Sequence, residues 1–415
     1  MSESTVLGAF TGCGIELEYM IVDRSTLAVR PIADELLRAV CGVYVNDVDR
    51  GDFGWSNELA MHVVELKNAE PRLPLATLPA RFASEVATIN AELRAFDARL
   101  MPTAMHPWMD PREELRLWPH DYAEIYRAYD RIFDCRRHGW GNMQSMHVNL
   151  PFADDHEFAR LHSAIRHVLP LLPALAASSP FADGRRQDFL DFRLECYRTH
   201  VDRIPAMMGE VIPENVASES EYHARILAPI YRDIAPFDPD EQMRDEWLNA
   251  RGAIARFDRR AIEIRVIDTQ ECPRADVAIA AATTELVRAC YDGEWSAAVA
   301  GSTLSAATLR ELLVACARDA DQASITDRQY LESFGFPAAR ASAGELWSHL
   351  LERTVYRDPQ VPAELREPLA LIERIGPLAR RILHAAGQSP SIERLRDVYH
   401  ELCECLAGNQ LYGSR

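Results

Sequence analysis

The stretch Gly12-Cys13-Gly14-Ile15-Glu16-Leu17-Glu18-Tyr19-Met20-Ile21-Val22 constrains the chain more than any other. Ile15, Leu17 and Tyr19 alternate with Glu16 and Glu18. In an extended chain the apolar residues take one face and both carboxylates the other. The β-branched and aromatic residues Ile15, Tyr19, Ile21 and Val22 favour a strand, and the glycines around Cys13 suit a turn leading into it. Two carboxylates on one strand face repel each other unless water, Arg, Lys or a divalent cation holds them. Hard oxygen ligands suit Mg²⁺ and Mn²⁺. A solvated strand face is the plain alternative.

Three further stretches repeat the pattern. In Trp55 to Lys67, a strand over Met61–Lys67 puts Met61, Val63, Glu65 and Lys67 on one face. Glu58 lies seven residues before Glu65, so both reach one site only if a bulge or the strand's start re-aims Glu58. In Met143–Pro151, Ser145, His147 and Asn149 share a face opposite Met146, Val148 and Leu150. In Ala261–Ile267, Glu263 and Arg265 oppose Ile262, Ile264 and Val266, the pattern of a sheet with one face on a helical core and one on a polar cleft.

Between these stretches the sequence reads as helices and loops. Gly51–Gly54 is expected as a turn and Leu78–Leu100 as a long amphipathic helix. Asp121–Cys135 is expected as a helix carrying Tyr122, Ile125, Tyr126 and Tyr129 on one face. Arg193 and Arg198 follow a loop and could grip carboxylates or phosphates as bidentate forks, or pair with surface acids. Ile204–Asn215 is irregular and suits a lid or substrate loop. From Asp276 onward the reading is helical: Val277–Tyr291, Ser305–Ala320, Ala343–Leu351, Ile372–Ala385 and Ser391–Leu406. With no internal repeat or linker, residues 1–415 read as one domain, a sheet region over about 10–275 and a helical cap over about 276–415.

The formal net charge of −18 argues against nucleic acid and anionic membrane surfaces as partners. It leaves anionic substrates open, because a metal and a few arginines can reverse the local field. Nine cysteines, with no CxxC, fit reduced thiols in a cytoplasm. Met1–Ser4 has no basic n-region, and no apolar run reaches membrane-spanning length. A homo-oligomer is compatible with the sequence.

The polar strand faces thus supply Glu16, Glu18, Glu58, Glu65, His147 and Glu263. Clustered, they would hold two or three divalent ions able to bridge nucleotide phosphates, with Arg265 facing a phosphoryl group. There is no P-loop and no GxGxxG, so a bound nucleotide would depend on metals and arginines.

This set resembles the glutamate–cysteine ligase family 2, among the carboxylate–amine ligases of the glutamine-synthetase-like superfamily. The carrying motifs are Gly14–Glu18, Asn57-Glu58 with Glu65, Gln144–Asn149, Ser179-Pro180-Phe181 leading to Tyr197-Arg198, and Ile262–Arg265. The resemblance implies an α+β fold of the glutamine synthetase and guanido kinase kind. Its curved, mainly antiparallel sheet forms an active-site funnel with helices packed outside. It implies an ATP-dependent ligase that phosphorylates a carboxylate, such as that of glutamate, and joins the acyl phosphate to an amine as an amide. It makes Glu16, Glu18, Glu58, Glu65, His147 and Glu263 ligands of Mg²⁺ or Mn²⁺. Arg265 becomes the catalytic residue on the transferring phosphoryl and the contact to ATP, with Glu263 beside it. Arg198, Arg193 and Asn149 become substrate contacts. The chain departs from the family at Asn149, where a second histidine is common, and in Arg256–Arg260, which is more basic than in the commonest members. Cysteine is therefore not assumed as the amine. A phosphotransferase of the same fold acting on a guanidino or amine group, and a non-catalytic metabolite-binding protein, remain as alternatives.

Overall fold

The computed structural model describes residues 6–295, 304–359 and 361–413. Met1–Ser4, on which the absence of a leader was read, lie outside the described residues. Alternation makes the strands and helical periodicity makes the layer behind them, as the sequence expects. The strands of the sheet region are β1 (Gly14–Asp23), β2 (Asp47–Asp49), β3 (Phe53–Asn57), β4 (Val63–Asn68), β5 (Ala98–Met101), β6 (Ser145–Pro151), β7 (Phe181–Ala182), β8 (Arg185–Arg186), β9 (Ala253–Arg256) and β10 (Ala261–Asp268), and a short pair, Ser324–Ile325 with Ala341–Ser342, lies in the helical region. Eight of them form one antiparallel sheet in the order β2-β3-β4-β1-β6-β10-β9, with β5 pairing the far end of β1. The fold is α+β, and the sheet is open, with β2 and β9 at its edges.

One sheet face is apolar. Ile15, Leu17, Tyr19, Val148, Ile262 and Ile264 are fully buried there. Behind them runs the helix Pro273–Asp292, which packs on β1 and β6 and on the helices Leu78–Leu93, Asp155–Val168 and Ala363–Ile375. Small residues such as Ala278, Ala281 and Ala282 are buried along it, and small side chains let neighbouring elements approach closely. The Tyr19 hydroxyl crosses the layer to donate to Asp276 in this helix's first turn, at 3.1 Å. The C-terminal helix Ile392–Gly408 packs on Leu78–Leu93 and β5, so the helical tail braces the sheet region directly.

Several boundaries differ from the sequence reading. The expected turn at Gly51–Gly54 runs into β3, which starts at Phe53. The expected helix to Leu100 ends at Leu93. A short 3-10 turn and left-handed Asp97 (φ 53°) then reverse the chain into β5. Tyr122 is exposed, in left-handed backbone before the helix Ala123–Phe133. Ile372–Ala385 is two helices, Ala363–Ile375 and Leu378–Ala386, divided at Gly376 (φ 86°) before Pro377, where the left-handed glycine and the proline both stop a helix. In the proposed lid, Ile204, Met207, Val211 and Ile212 are buried and packed. All nine cysteines are free thiols, and no helix among the described residues is long and apolar enough to cross a membrane.

Candidate active site

Antiparallel register assembles the polar face. Residues opposite each other on paired strands point to the same side. Glu16 faces Lys67 of β4 and His147 of β6, Glu18 faces Glu65, and Glu263 of β10 faces Asn149. Glu58 follows the last residue of β3, beyond the strand's hydrogen bonding, so the strand's end, not a bulge, brings it in. Glu16, Glu18, Glu58, Glu65, His147, Glu263 and Arg265 line one cavity of about 340 Å³. Two sets of possible ligand atoms, Glu16–His147–Glu263 and Glu18–Glu65–His147, each lie within 4.8 Å of one another and share the imidazole.

The groups already organise one another. His147 Nδ1 lies 2.8 Å from Glu16 Oε2, and its Nε2 lies 2.9 Å from Ser145 Oγ. The Ser145 backbone N–H donates to Glu18 at 2.7 Å. Burial works against the His147 imidazolium, but the hydrogen bond to Glu16 and the charges of Glu18, Glu16 and Glu263 outweigh it and lift its pKa to about 9. Burial likewise works against the Glu16 carboxylate, yet His147, Lys67 and Arg259 hold it at about 2. Glu65, Glu58 and Glu18 go the other way. Burial and then the Glu16 charge raise Glu65 to about 7. Burial, then Glu18 and Glu65, push Glu58 well above the carboxylate range, and burial raises Glu18. Burial and the mutual repulsion of the carboxylates thus both act against a fully ionised wall.

β10 carries a bulge. Ile264 pairs with Val148 but Ile267 pairs with Met146, so three steps on β10 match two on β6. The extra residue lies at Arg265–Val266. It leaves Arg265 on the cavity wall, hydrogen-bonded through Nε to Glu263. It also brings Asp268 opposite Ser145. There Asp268, fully buried, accepts from the Arg193 guanidinium, the Ser178 backbone N–H at 2.9 Å and the Ser179 hydroxyl at 2.8 Å.

The stretch Phe192–Tyr197 is a helix, and helical spacing separates the arginines expected to act together. Arg193 and Tyr197, four apart, both line the cavity. Arg198 points elsewhere. It pairs with Glu195, three residues back, and is not among the lining residues, so the structure does not bring it to the carboxylate cluster. Arg193 is engaged by Asp268. Asn149 is on the same face, opposite Glu263, but is not among the lining residues; its amide donates to Glu16 at 3.3 Å.

The wall opposite the sheet is aromatic. Tyr129, Trp140, Tyr197, His200 and Trp247 line it, with Tyr129 and Trp140 ring centroids 4.9 Å apart. Sequence reasoning missed these residues because a buried aromatic at helical spacing reads as core. It also passed over Asp268, whose face follows only from the bulge. A larger cavity of about 1070 Å³ between the last helices, near Arg380, His384, Glu401 and Tyr412, contains none of the carboxylate cluster.

Comparison with known proteins agrees with the fold and gives the family. A protein of Archaeoglobus fulgidus without an assigned function is 34% identical over 341 residues, 80% of this chain and 91% of the relative. A Rubrobacter xylanophilus protein, provisionally named glutamate–cysteine ligase 2-3, is 28% identical over 50% of this chain and 52% of its own length. Among solved structures, glutamate–cysteine ligase from Francisella tularensis in complex with AMP superposes with a TM-score of 0.57 at 12% identity, over 96% of this chain and 89% of that one. A bifunctional glutathione synthetase from Pasteurella multocida gives a TM-score of 0.57 at 15% identity, over 96% and 52%. At these identities the structural likeness is one of fold. The family model for glutamate–cysteine ligase family 2 matches residues 12–401, and the chain belongs to that family.

Proposed function

We propose that the protein is an ATP-dependent carboxylate–amine ligase, acting on glutamate or a similar acid. The observation that carries this reading is the gathering of five carboxylates and one imidazole from β1, the end of β3, β4, β6 and β10 on one cavity wall beside Arg265. The donor set fits divalent cations. It is oxygen-rich with one nitrogen, no cysteine lines the cavity, and burial, with the neighbouring carboxylates, raises Glu18, Glu58 and Glu65. Glu16, Glu18, Glu58, Glu65, His147 and Glu263 would hold Mg²⁺ or Mn²⁺, which would supply the charge neutralisation that lets two anions meet.

The chain's own residues do the rest. Arg265, its Nε held by Glu263, presents its remaining donors to the cavity and stabilises the transferring phosphoryl oxygens. Arg193, fixed by Asp268 and within 3.4 Å of the Arg265 carbonyl, holds the bulge that aims Arg265, so its role is positioning. In the reaction a substrate carboxylate oxygen attacks the γ-phosphorus and ADP leaves. An amine then attacks the acyl carbon, phosphate leaves and the nitrogen loses a proton. Glutamine-synthetase-like curvature of the sheet, one functional unit over residues 1–415 and a cytoplasmic setting belong to the same reading. Glutamate labelled with ¹⁸O in its carboxylates tests the intermediate. The expected result is one label in released inorganic phosphate per amide formed. Label appearing in AMP would contradict it, because it would mean adenylation.

A further inference from the structure

The β9–β10 hairpin carries Arg256, Asp258, Arg259 and Arg260 at the edge of the sheet. Arg256 lines the cavity beside Glu263 and is 9% exposed, yet it is poorly satisfied for a buried guanidinium. Its Nε has no hydrogen-bond partner. Its Nη2 donates one long hydrogen bond to Asp258 at 3.4 Å, and the other acids stand off, Glu246 and Glu263 both at 3.7 Å. Distances of 3.7 Å lie outside hydrogen-bond range. Elsewhere in the chain buried arginines are gripped closely. Arg251, for example, meets Glu214 through two 2.7 Å bonds. A buried charged donor left unmade is costly, which makes its presence on a cavity wall informative. Arg259 also lines the cavity, with its side chain 58% exposed and only a 3.8 Å approach to Asp258.

We propose that Arg256, supported by Arg259, is an oxyanion clamp that takes a phosphate or carboxylate group of a substrate entering over Glu263. The inference rests on the ligase reading for the source of that oxyanion, and it assigns the hairpin a binding role of its own. A planar fork suits two oxygens of one such group, which a lysine cannot match.

Calorimetric titration of the full chain with Mg²⁺ tests this without turnover. The probes are ATP, AMP, inorganic triphosphate and glutamate, and the variants are R256Q, R256K and R259Q. The expected result is at least a tenfold loss of affinity in R256Q, partial recovery in R256K, and a smaller loss on the same ligand in R259Q. A loss for ATP and triphosphate but not AMP identifies the oxyanion as phosphate, and a loss for glutamate identifies it as carboxylate. Should R256Q fold poorly, R259Q carries the test, because its exposed side chain does not hold the core. Wild-type protein that binds these probes, with affinities unchanged in the soluble variants, overturns the clamp alone. Wild-type protein that binds none of them overturns the clamp and the ligase reading together.

Discussion

Glu16 and Glu65 lie on one wall, yet Glu16 is held at about 2 and Glu65 is lifted to about 7. The difference traces to His147, whose Nδ1 sits 2.8 Å from Glu16. In the proposed metal site, a carboxylate that already carries its charge and is oriented by an imidazole is ready for a cation. Glu16→Gln or Glu263→Gln is therefore expected to lower Mg²⁺-dependent turnover by roughly a hundredfold or more, about 3 kcal/mol of transition-state stabilisation, while circular dichroism stays native. Wild-type rates in either variant would remove these residues from the proposed metal site. Asp268 makes a different kind of statement. It is fully buried and anchors Arg193 together with Ser178 and Ser179. Truncation to Ala leaves a buried guanidinium unpaired, so urea unfolding should show a loss of about 3–5 kcal/mol. A change under about 1 kcal/mol would mean that water or another acid takes over.

The bulge in β10 shows how one element sets both wall and support. Gly252 of the neighbouring segment accepts from the Arg265 backbone N–H at 2.9 Å, and a methyl group on it would come within 2.6 Å of Val266 Cγ1. Gly252→Ala should therefore shift the bulge, costing about 1–3 kcal/mol in denaturant unfolding and lowering turnover with it. Unchanged stability and activity would show that the bulge tolerates movement. This element also marks the limit of what the sequence discloses. Strict alternation in β1, β6 and the first half of β10 makes Glu16, Glu18, His147 and Glu263 legible, because a residue's face follows from parity alone. After the bulge parity breaks, so Asp268 changes face without any local sign. Arg198 lies apart from the cluster for a related reason. Two arginines five apart share no face once the segment is helical. β5 was hidden because Phe96 completes an apolar period that reads as helix, although Asp97 ends it.

Across the whole molecule, the sheet and the helical layer are joined through a buried acid. Asp276 accepts from the Gln270 backbone N–H at 2.8 Å and from Tyr19, and burial lifts its pKa from 3.8 to about 8. The folded state therefore keeps a proton that the unfolded chain releases. This contribution is fully present below about pH 4 and is lost as pH rises toward 8. Asp276→Asn should flatten that part of the melting-temperature profile and match or exceed the wild type above about pH 8. An identical slope in the variant would place the pH dependence elsewhere. The helix that carries Asp276 packs behind β1 and β6, so the same layer that stabilises the fold fixes the strands bearing the carboxylates. The central claim, that this wall joins an acid to an amine, is tested most directly by ADP release. The assay supplies Mg·ATP, glutamate and a pooled set of amines that includes cysteine, with mass spectrometry of the products. The expected result is ADP and phosphate formed only when acid and amine are both present, with a product of mass acid plus amine minus water. A stable phosphorylated product formed from one substrate alone would contradict the account and identify a phosphotransferase.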